Sequence, residues 1–312
     1  MAEVVITEFM DPAAVAGLAA EFDVHYDPEL VDNRAGLSQL LGDARALVVR
    51  NRTTVDAGLL EAAPDLAVVG RLGVGLDNID VEACAARGVE VRTAGAANAG
   101  AVAEYVIGAA LALLRSALRV SDSVADGEWP REELVGAELA GRTLGLIGFG
   151  AIARVVAGKA AALEMRVVAS DPILAADDPA WDLAERVDLS ALLGQSDVIS
   201  LHVPLLDSTR HLIDREAIAA MPADAILINT ARGGVVDEEA LLGSLKAGEL
   251  GGAALDVFEI EPVGPDQRAR FVEVPNLILT PHIAGLTTES QQRVGEVTAD
   301  NVRAVLSSGG GA

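Results

Sequence analysis

One cysteine, Cys84, excludes an internal disulfide framework and leaves no cysteine-rich metal site. It lies in an Ala-rich helical stretch and reads as a small packed residue, not a nucleophile. Cations are scarce as well: only Lys159 and Lys246 accompany the arginines, and the formal charge is −24. That field repels phosphate backbones, so neither a nucleic-acid nor an anionic-membrane partner is expected. A protein this acidic needs local arginine to hold small anions, which gives weight to any arginine near a binding loop. No apolar run is long enough to cross a bilayer, although 51% of the 312 residues are hydrophobic. The richest stretch, residues 102–114, contains Glu104 and Tyr105 and reads as a buried helix. The N-terminal MAEVVITEFM lacks the basic and apolar regions of a secretion signal, so a cytoplasmic protein is expected.

Short β-branched runs alternate instead with Ala/Leu-rich stretches, the pattern of parallel strands joined by crossover helices. A first block predicts strands at 3–9, 22–27, 46–51, 66–72 and 89–93, with helices such as 11–20 and 81–87. After a long helix from 102 to about Leu118, a second block predicts six strands at 143–148, 166–171, 197–203, 225–230, 253–258 and 277–280. An amphipathic helix at 288–306 and a flexible tail at 307–312 complete the chain.

The strongest motif is Gly145-Leu-Ile-Gly148-Phe149-Gly150-Ala151-Ile152-Ala153, between a strand and a helix. Gly148 permits a tight turn, and Gly150 lets backbone approach a pyrophosphate seated on the helix N-terminus. Ala153 stands where a third glycine often does. One such match is weak evidence, but the next strand ends in Asp171, 23 residues after Gly148. An acid there hydrogen-bonds ribose hydroxyls and repels a 2′-phosphate, which favours NAD over NADP. The fold class is therefore α/β, with two Rossmann-like domains of parallel sheet covered by helices on both faces. Because the fingerprint falls mid-chain, the NAD-binding domain (99–285) is expected as an insertion into a substrate domain made of 1–98 and 286–312. Crossovers near 98–102 and 284–288 would then serve as hinges for cleft closure.

Three polar clusters close later strands: Asn229-Thr230-Ala231-Arg232-Gly-Gly, Asp256-Val-Phe-Glu-Ile-Glu261-Pro, and Thr280-Pro-His282-Ile-Ala-Gly. Ligands bind beyond the carboxyl ends of strands in such sheets. Singly, an arginine is a surface cation, a histidine a structural hydrogen-bonder and a Glu before Pro a loop residue. Together they form a chemical set: a guanidinium fork for a carboxylate, an imidazole for a hydroxyl proton, and a carboxylate to orient it.

These motifs in this order, with DVISLHVPLLDSTRHLI between them, resemble the D-isomer-specific 2-hydroxyacid dehydrogenase family over nearly the whole chain. The resemblance implies hydride transfer between NAD(H) and C2 of a small 2-hydroxy or 2-oxo acid. It implies Arg232, Glu261 and His282 as the catalytic set, with Arg232 on the substrate carboxylate, His282 as acid/base and Glu261 orienting it. It places His202, Pro204, Thr209, Thr230, Ala231 and Asp256 on the cofactor side, and implies a homodimer built around helix 101–115. His25 and His211 have no comparable context.

In the first block, Arg71-Leu72-Gly73-Val74-Gly75 offers backbone N–H groups to a carboxylate. Arg50, with Asn51, ends a neighbouring strand, and two cationic strand ends suggest a second anionic group on the substrate. This text resembles the short phosphoglycerate dehydrogenase-like and sulfolactate dehydrogenase-like branch. There Arg50 and Arg71 would meet the distal phosphate or sulfonate, and Arg131 would reach a partner subunit's site. A C-terminal regulatory domain is not expected. The alternatives are an NAD(H)-binding sensor or corepressor, and a dehydrogenase for glyoxylate, hydroxypyruvate or a phosphonate; the two arginines disfavour formate. No metal is implied.

Overall fold

The computed structural model describes residues 2–115 and 120–308. They fall into two compact units, divided between Asn98 and Ala99 and again between Gly285 and Leu286.

The first unit holds five parallel strands: β1 (Val4–Ile6), β2 (Val24–Tyr26), β3 (Ala46–Val49), β4 (Val68–Arg71) and β5 (Glu90–Thr93). Their spatial order is β2-β1-β3-β4-β5, so the winding reverses between β1 and β3. β1, β3 and β4 are buried at every position, as strands covered on both faces must be. The intervening helices are α1 (Pro12–Ala19), α2 (Arg34–Leu40), α3 (Ala57–Glu61) and α4 (Val81–Ala86). Asp11, Asn33, Asp56 and Asp80 cap them by accepting first-turn N–H groups. The C-terminal helix (Thr288–Ser308) presses Val294, Ala299, Val302 and Leu306 onto Ile6, Val48 and Val68. Ser307 and Ser308, expected in a flexible tail, extend this helix; residues 309–312 lie outside the described residues. The strands are shorter than the apolar text suggests, because ladder pairing stops before the last apolar residues. Arg50, Asn51 and Leu72 therefore stand in loops.

The second unit holds β6 (Thr143–Ile147), β7 (Arg166–Ser170), β8 (Glu185–Arg186), β9 (Val198–Leu201), β10 (Ile226–Asn229), β11 (Gly252–Leu255) and β12 (Leu277–Leu279). Seven strands stand where six were expected, all parallel, in the order β12-β11-β10-β9-β6-β7-β8. The addition is β8, whose two exposed charged residues pair with Val168 and Ala169 at the sheet edge. Two exposed residues give no hydrophobic period, so nothing in the text announces this strand. Counted from β6, the order is that of a dinucleotide-binding sheet with one further strand, and the winding reverses between β6 and β9.

Its helices are α5 (Ala99–Arg115), α6 (Ser121–Ala125), α7 (Ala151–Ala162), α8 (Leu189–Gln195), α9 (Arg215–Ala219), α10 (Glu238–Ala247) and α11 (Arg268–Phe271). α5 begins three residues before the expected start. Its expected end near Leu118 lies outside the described residues. α5 packs Ala103, Val106 and Ala110 in one cluster with Ala153, Val156 and Ala157 of α7, small side chains that let two helices approach closely. No helix among the described residues is long and apolar enough to cross a membrane.

Candidate active site

The nucleotide fingerprint occupies the point where β6 and β9 part. Gly148 has φ +84°, and a Cβ there would stand 2.7 Å from the His202 carbonyl oxygen and 2.8 Å from Val203 Cγ1. Only glycine fits both the conformation and the space. The Phe149 ring is fully buried and stacks on Trp181 at 5.2 Å, so its side chain anchors the turn from beneath. Gly150 caps α7 with no side chain, and open space surrounds its Cβ position. By contrast α8, α9 and α10 are each capped by an aspartate, Asp188, Asp214 and Asp237. The first-turn N–H groups of α7, those of Ala151 and Ile152 among them, are thus left for an external anion.

Asp171 accepts the Phe149 N–H through Oδ2 (2.8 Å) and the Ile173 and Leu174 N–H groups through Oδ1 (2.9 and 3.0 Å). Burial pushes its carboxyl up, but these three bonds and the Arg154 charge carry it below the usual carboxylate range. A fixed negative charge is therefore tied to the glycine turn. At the end of β10, Thr230 Oγ1 is buried with no hydrogen-bond partner. An orphaned hydroxyl, an uncapped helix and an open glycine position are features that a bound dinucleotide fits.

The other expected cofactor-side residues are more varied. His202 Nε2 lies 3.0 Å from Ser200 Oγ, and desolvation pushes the imidazole down to about 4, so it is neutral at pH 7. Thr209 spends its hydroxyl on its own turn, donating to the Pro204 carbonyl (2.6 Å) and accepting the Leu206 N–H. The Ala231 N–H donates to Asn229 Oδ1 at 3.0 Å, and Asn229 Nδ2 donates to the Arg232 carbonyl at 2.8 Å. Asn229, absent from the expected set, is the fully buried post on which the arginine loop hangs.

His282 Nδ1 lies 2.8 Å from Glu261 Oε2, with both side chains about one-third exposed. Glu261 Oε1 accepts the Phe258 N–H at 2.9 Å. Burial raises the Glu261 carboxyl, but the hydrogen bonds from His282 and Phe258 and the charges of His282 and Arg232 bring it below its ordinary value. Arg232 donates through Nη1 to the Ala231 carbonyl at 2.6 Å. Arg232, Glu261 and His282 thus come together from the ends of three adjacent strands.

His282 has φ +56°, a left-handed conformation that costs a non-glycine residue roughly 1–3 kcal/mol. Asp256 holds it there. Its carbonyl accepts the His282 N–H at 2.8 Å; its carboxylate accepts Thr280 Oγ1–H (2.6 Å) and the Ile283 and Ala284 N–H groups (both 2.8 Å). Asp256, expected to line the cofactor, is 1% exposed and clamps the histidine loop. Thr280 gives its one proton to Asp256, so the Tyr105 hydroxyl, 2.6 Å away, donates to Thr280. Tyr105 was legible only as an interruption of an apolar run.

In the first unit, Arg50 donates through Nη2 to Gln291 Oε1 at 2.8 Å, and Asn51 beside it is exposed. Arg71 behaves differently. It is 7% exposed, and its guanidinium turns back to the carbonyls of Gly75 (Nε, 2.8 Å) and Leu72 (Nη1, 2.6 Å). Gly73, φ +148°, makes room for it: a Cβ there would lie 2.3 Å from Arg71 Nη1. Arg71 shapes the loop from within. The Gly73 N–H is bonded to the Arg71 carbonyl at 2.8 Å, so the amides of Val74 and Gly75 are those left for a carboxylate. Arg131 is exposed. His211 approaches Glu259 at 3.3 Å, and Cys84 is buried. No group of His, Cys, Asp and Glu among the described residues could hold a metal ion.

A dinucleotide sheet whose strand ends carry an imidazole–carboxylate pair beside an arginine defines a nicotinamide-dependent oxidoreductase. Residues 107–284 match the model for the D-isomer specific 2-hydroxyacid dehydrogenase NAD-binding domain. The chain belongs to this family and is an NAD-dependent dehydrogenase. It is 53% identical over 307 residues to the (S)-sulfolactate dehydrogenase of Chromohalobacter salexigens, covering 98% of this chain and 99% of that one. The hydroxypyruvate reductase of Thermotoga maritima is 45% identical over 83% of this chain and 84% of its own. The D-3-phosphoglycerate dehydrogenase of Archaeoglobus fulgidus is 42% identical over 82% of this chain, a match spanning about half of its length. Among solved structures, the D-lactate dehydrogenase of Aquifex aeolicus complexed with NAD and lactic acid is 30% identical with a TM-score of 0.83, covering 98% of this chain and 96% of that one.

Proposed function

We propose that the enzyme interconverts a 2-hydroxy and a 2-oxo acid bearing a second anionic group at C3, with a sulfonate of the 3-sulfolactate type as the first choice and a phosphate as the second. The observation that carries the chemistry is the 2.8 Å His282–Glu261 pair with the Arg232 charge on the same carboxylate. When bound on the Gly148–Ile152 turn, NAD supplies the hydride acceptor, and NADH the hydride donor. His282 takes the C2 hydroxyl proton during oxidation and returns it during reduction. Glu261, bonded to Nδ1, leaves Nε2 as the nitrogen that exchanges that proton and stabilises the imidazolium. Arg232 grips the C1 carboxylate and polarises the C2 oxygen. Within the first unit, the Val74 and Gly75 amides are offered to a carboxylate, Asn51 and Arg50 to a distal anion, and Arg71 keeps their neighbouring loop in shape.

The sulfonate choice rests on the 53% identical relative, whose name gives that substrate class. The test is NADH oxidation against 3-sulfopyruvate, 3-phosphohydroxypyruvate, oxaloacetate, hydroxypyruvate, glyoxylate and pyruvate. A preference for 3-sulfopyruvate of at least tenfold is expected. Equal rates on hydroxypyruvate favour the second reading, supported by the reductase relative, in which the distal site is unused. Absence of turnover on every member overturns the catalytic assignment. The enzyme is further proposed to be cytoplasmic, and to be a homodimer, since Trp129 and Val135, 73% and 82% exposed, leave apolar surface uncovered beyond α5. A monomeric mass by light scattering at micromolar concentration refutes the dimer.

A further inference from the structure

Glu8, two residues after β1, is 5% exposed and carries no role in the motifs above. Its carboxylate receives four consecutive backbone N–H groups from the loop after β3. Arg50 and Thr53 donate to Oε1 at 2.8 and 2.9 Å, Asn51 to Oε2 at 3.3 Å, and Arg52 to both oxygens at 3.3 and 3.2 Å. Four adjacent amides aimed at one point form an anion nest, which needs a negative charge at its centre to persist. Here the chain supplies that charge itself, at the crevice between β1 and β3 where the winding reverses and where ligands bind in sheets of this kind.

The consequence concerns the side chains. With its amides turned inward to Glu8, the 50–53 loop meets a substrate anion only through side chains, foremost Arg50 and Asn51. The Arg50 guanidinium is then braced outside the nest by Gln291 Oε1 at 2.8 Å. We propose that Glu8 is the positioning residue of the distal-anion site: it fixes the backbone from which Arg50 and Asn51 reach the substrate, and so sets preference for a doubly anionic substrate without touching it. This rests on the distal-anion reading above.

The experiment compares wild type, Glu8→Gln and Glu8→Asp on 3-sulfopyruvate, 3-phosphohydroxypyruvate and hydroxypyruvate, with NADH affinity measured by fluorescence. Gln keeps the size but turns an amide donor toward donors; Asp keeps the charge but falls one methylene short. The expected result is a fall of more than tenfold in kcat/KM for the doubly anionic substrates in Glu8→Gln, carried by KM. A fall of a few-fold is expected in Glu8→Asp. Hydroxypyruvate KM, kcat and NADH affinity should stay within about twofold. A wild-type ratio of doubly anionic to hydroxypyruvate activity in both variants overturns the proposal, as does an equal loss on all three substrates. If Glu8→Gln does not fold, the ratio in Glu8→Asp decides alone. A wild type that shows no preference for the doubly anionic substrates refutes the underlying reading instead, and is seen before any variant is made.

Discussion

The two units solve the same architectural problem in opposite ways at their winding reversals. In the second, the crevice between β6 and β9 is lined by Gly148, and α7 starts on Gly150 without a cap. In the first, the crevice between β1 and β3 holds the Glu8 carboxylate, and α1 starts under Asp11, which accepts the Ala13 and Ala14 N–H groups at 3.0 and 3.3 Å. One unit leaves its positive backbone ends open to an external anion; the other has neutralised them with its own acids. The same fold thus yields a nucleotide site in one half and, in the other, a loop whose recognition falls to side chains. Fold does not fix function here; the residues at the reversal do.

The sharpest way to test the second unit's half of this contrast is His282→Gln. Losing a general acid/base costs roughly 10²–10⁴ in rate, so kcat should fall by about that much while NADH affinity, held by the Gly148 turn, is unchanged. A parallel loss of NADH binding would mean that the strained histidine loop also supports the nucleotide site.

The first unit's half is tested by its two arginines, similar in the text and unlike in the fold. Arg71→Ala strands the Leu72 and Gly75 carbonyls that its buried guanidinium serves, and should cost about 3 kcal/mol of stability, read as a lowered Tm. Arg50→Ala should leave Tm within about 2 °C, because its contacts are a Gln291 amide and a long 3.4 Å approach to the Phe9 carbonyl. Its KM for a doubly anionic substrate should instead rise more than tenfold. Similar Tm losses in both would erase the distinction between a loop shaper and a ligand group.

A smaller effect is expected at Asp171. Replacing it by Asn removes the fixed charge while keeping an oxygen for the Phe149 N–H, so kcat/KM with NADPH relative to NADH should rise about tenfold. An unchanged ratio would place the discrimination in the surrounding loop.

Much of this was legible in the sequence because the residues that carry chemistry sit in motifs at strand ends. Gly148, Asp171, Arg232, Glu261 and His282 all stand where strand patterning puts them. What escaped reading has a common physical character. Glu8, Asn229, Tyr105 and Gln291 act on groups between 2 and 241 positions away in the chain, through bonds that no local period encodes. β8 escaped because two exposed charged residues make a strand only through the neighbour they pair with. Arg71 shows a different limit: a strand-end arginine reads as an outward cation, whereas its guanidinium turns back to the Leu72 and Gly75 carbonyls over Gly73.

The least perturbing test concerns His202, at the reversal itself. Desolvation lowers its imidazole from 6.5 to about 4 in the folded chain, so the folded state binds fewer protons than the unfolded state between those values. Its contribution is fully present above about pH 6.5 and is lost as the pH falls toward 4, by at most about 3 kcal/mol. Glu261 and Asp171, both held below the ordinary carboxylate range, lose their contributions as the pH falls below the ordinary carboxylate values, so acid destabilisation should come in two parts. In His202→Asn the upper part, between pH 6.5 and 4, should flatten while the lower one remains, as read by denaturant midpoints across pH. If the variant retains the full slope above pH 5, the His202 ring is hydrated in solution, and the crevice between β6 and β9 is more open to water than the packing around Gly148 implies.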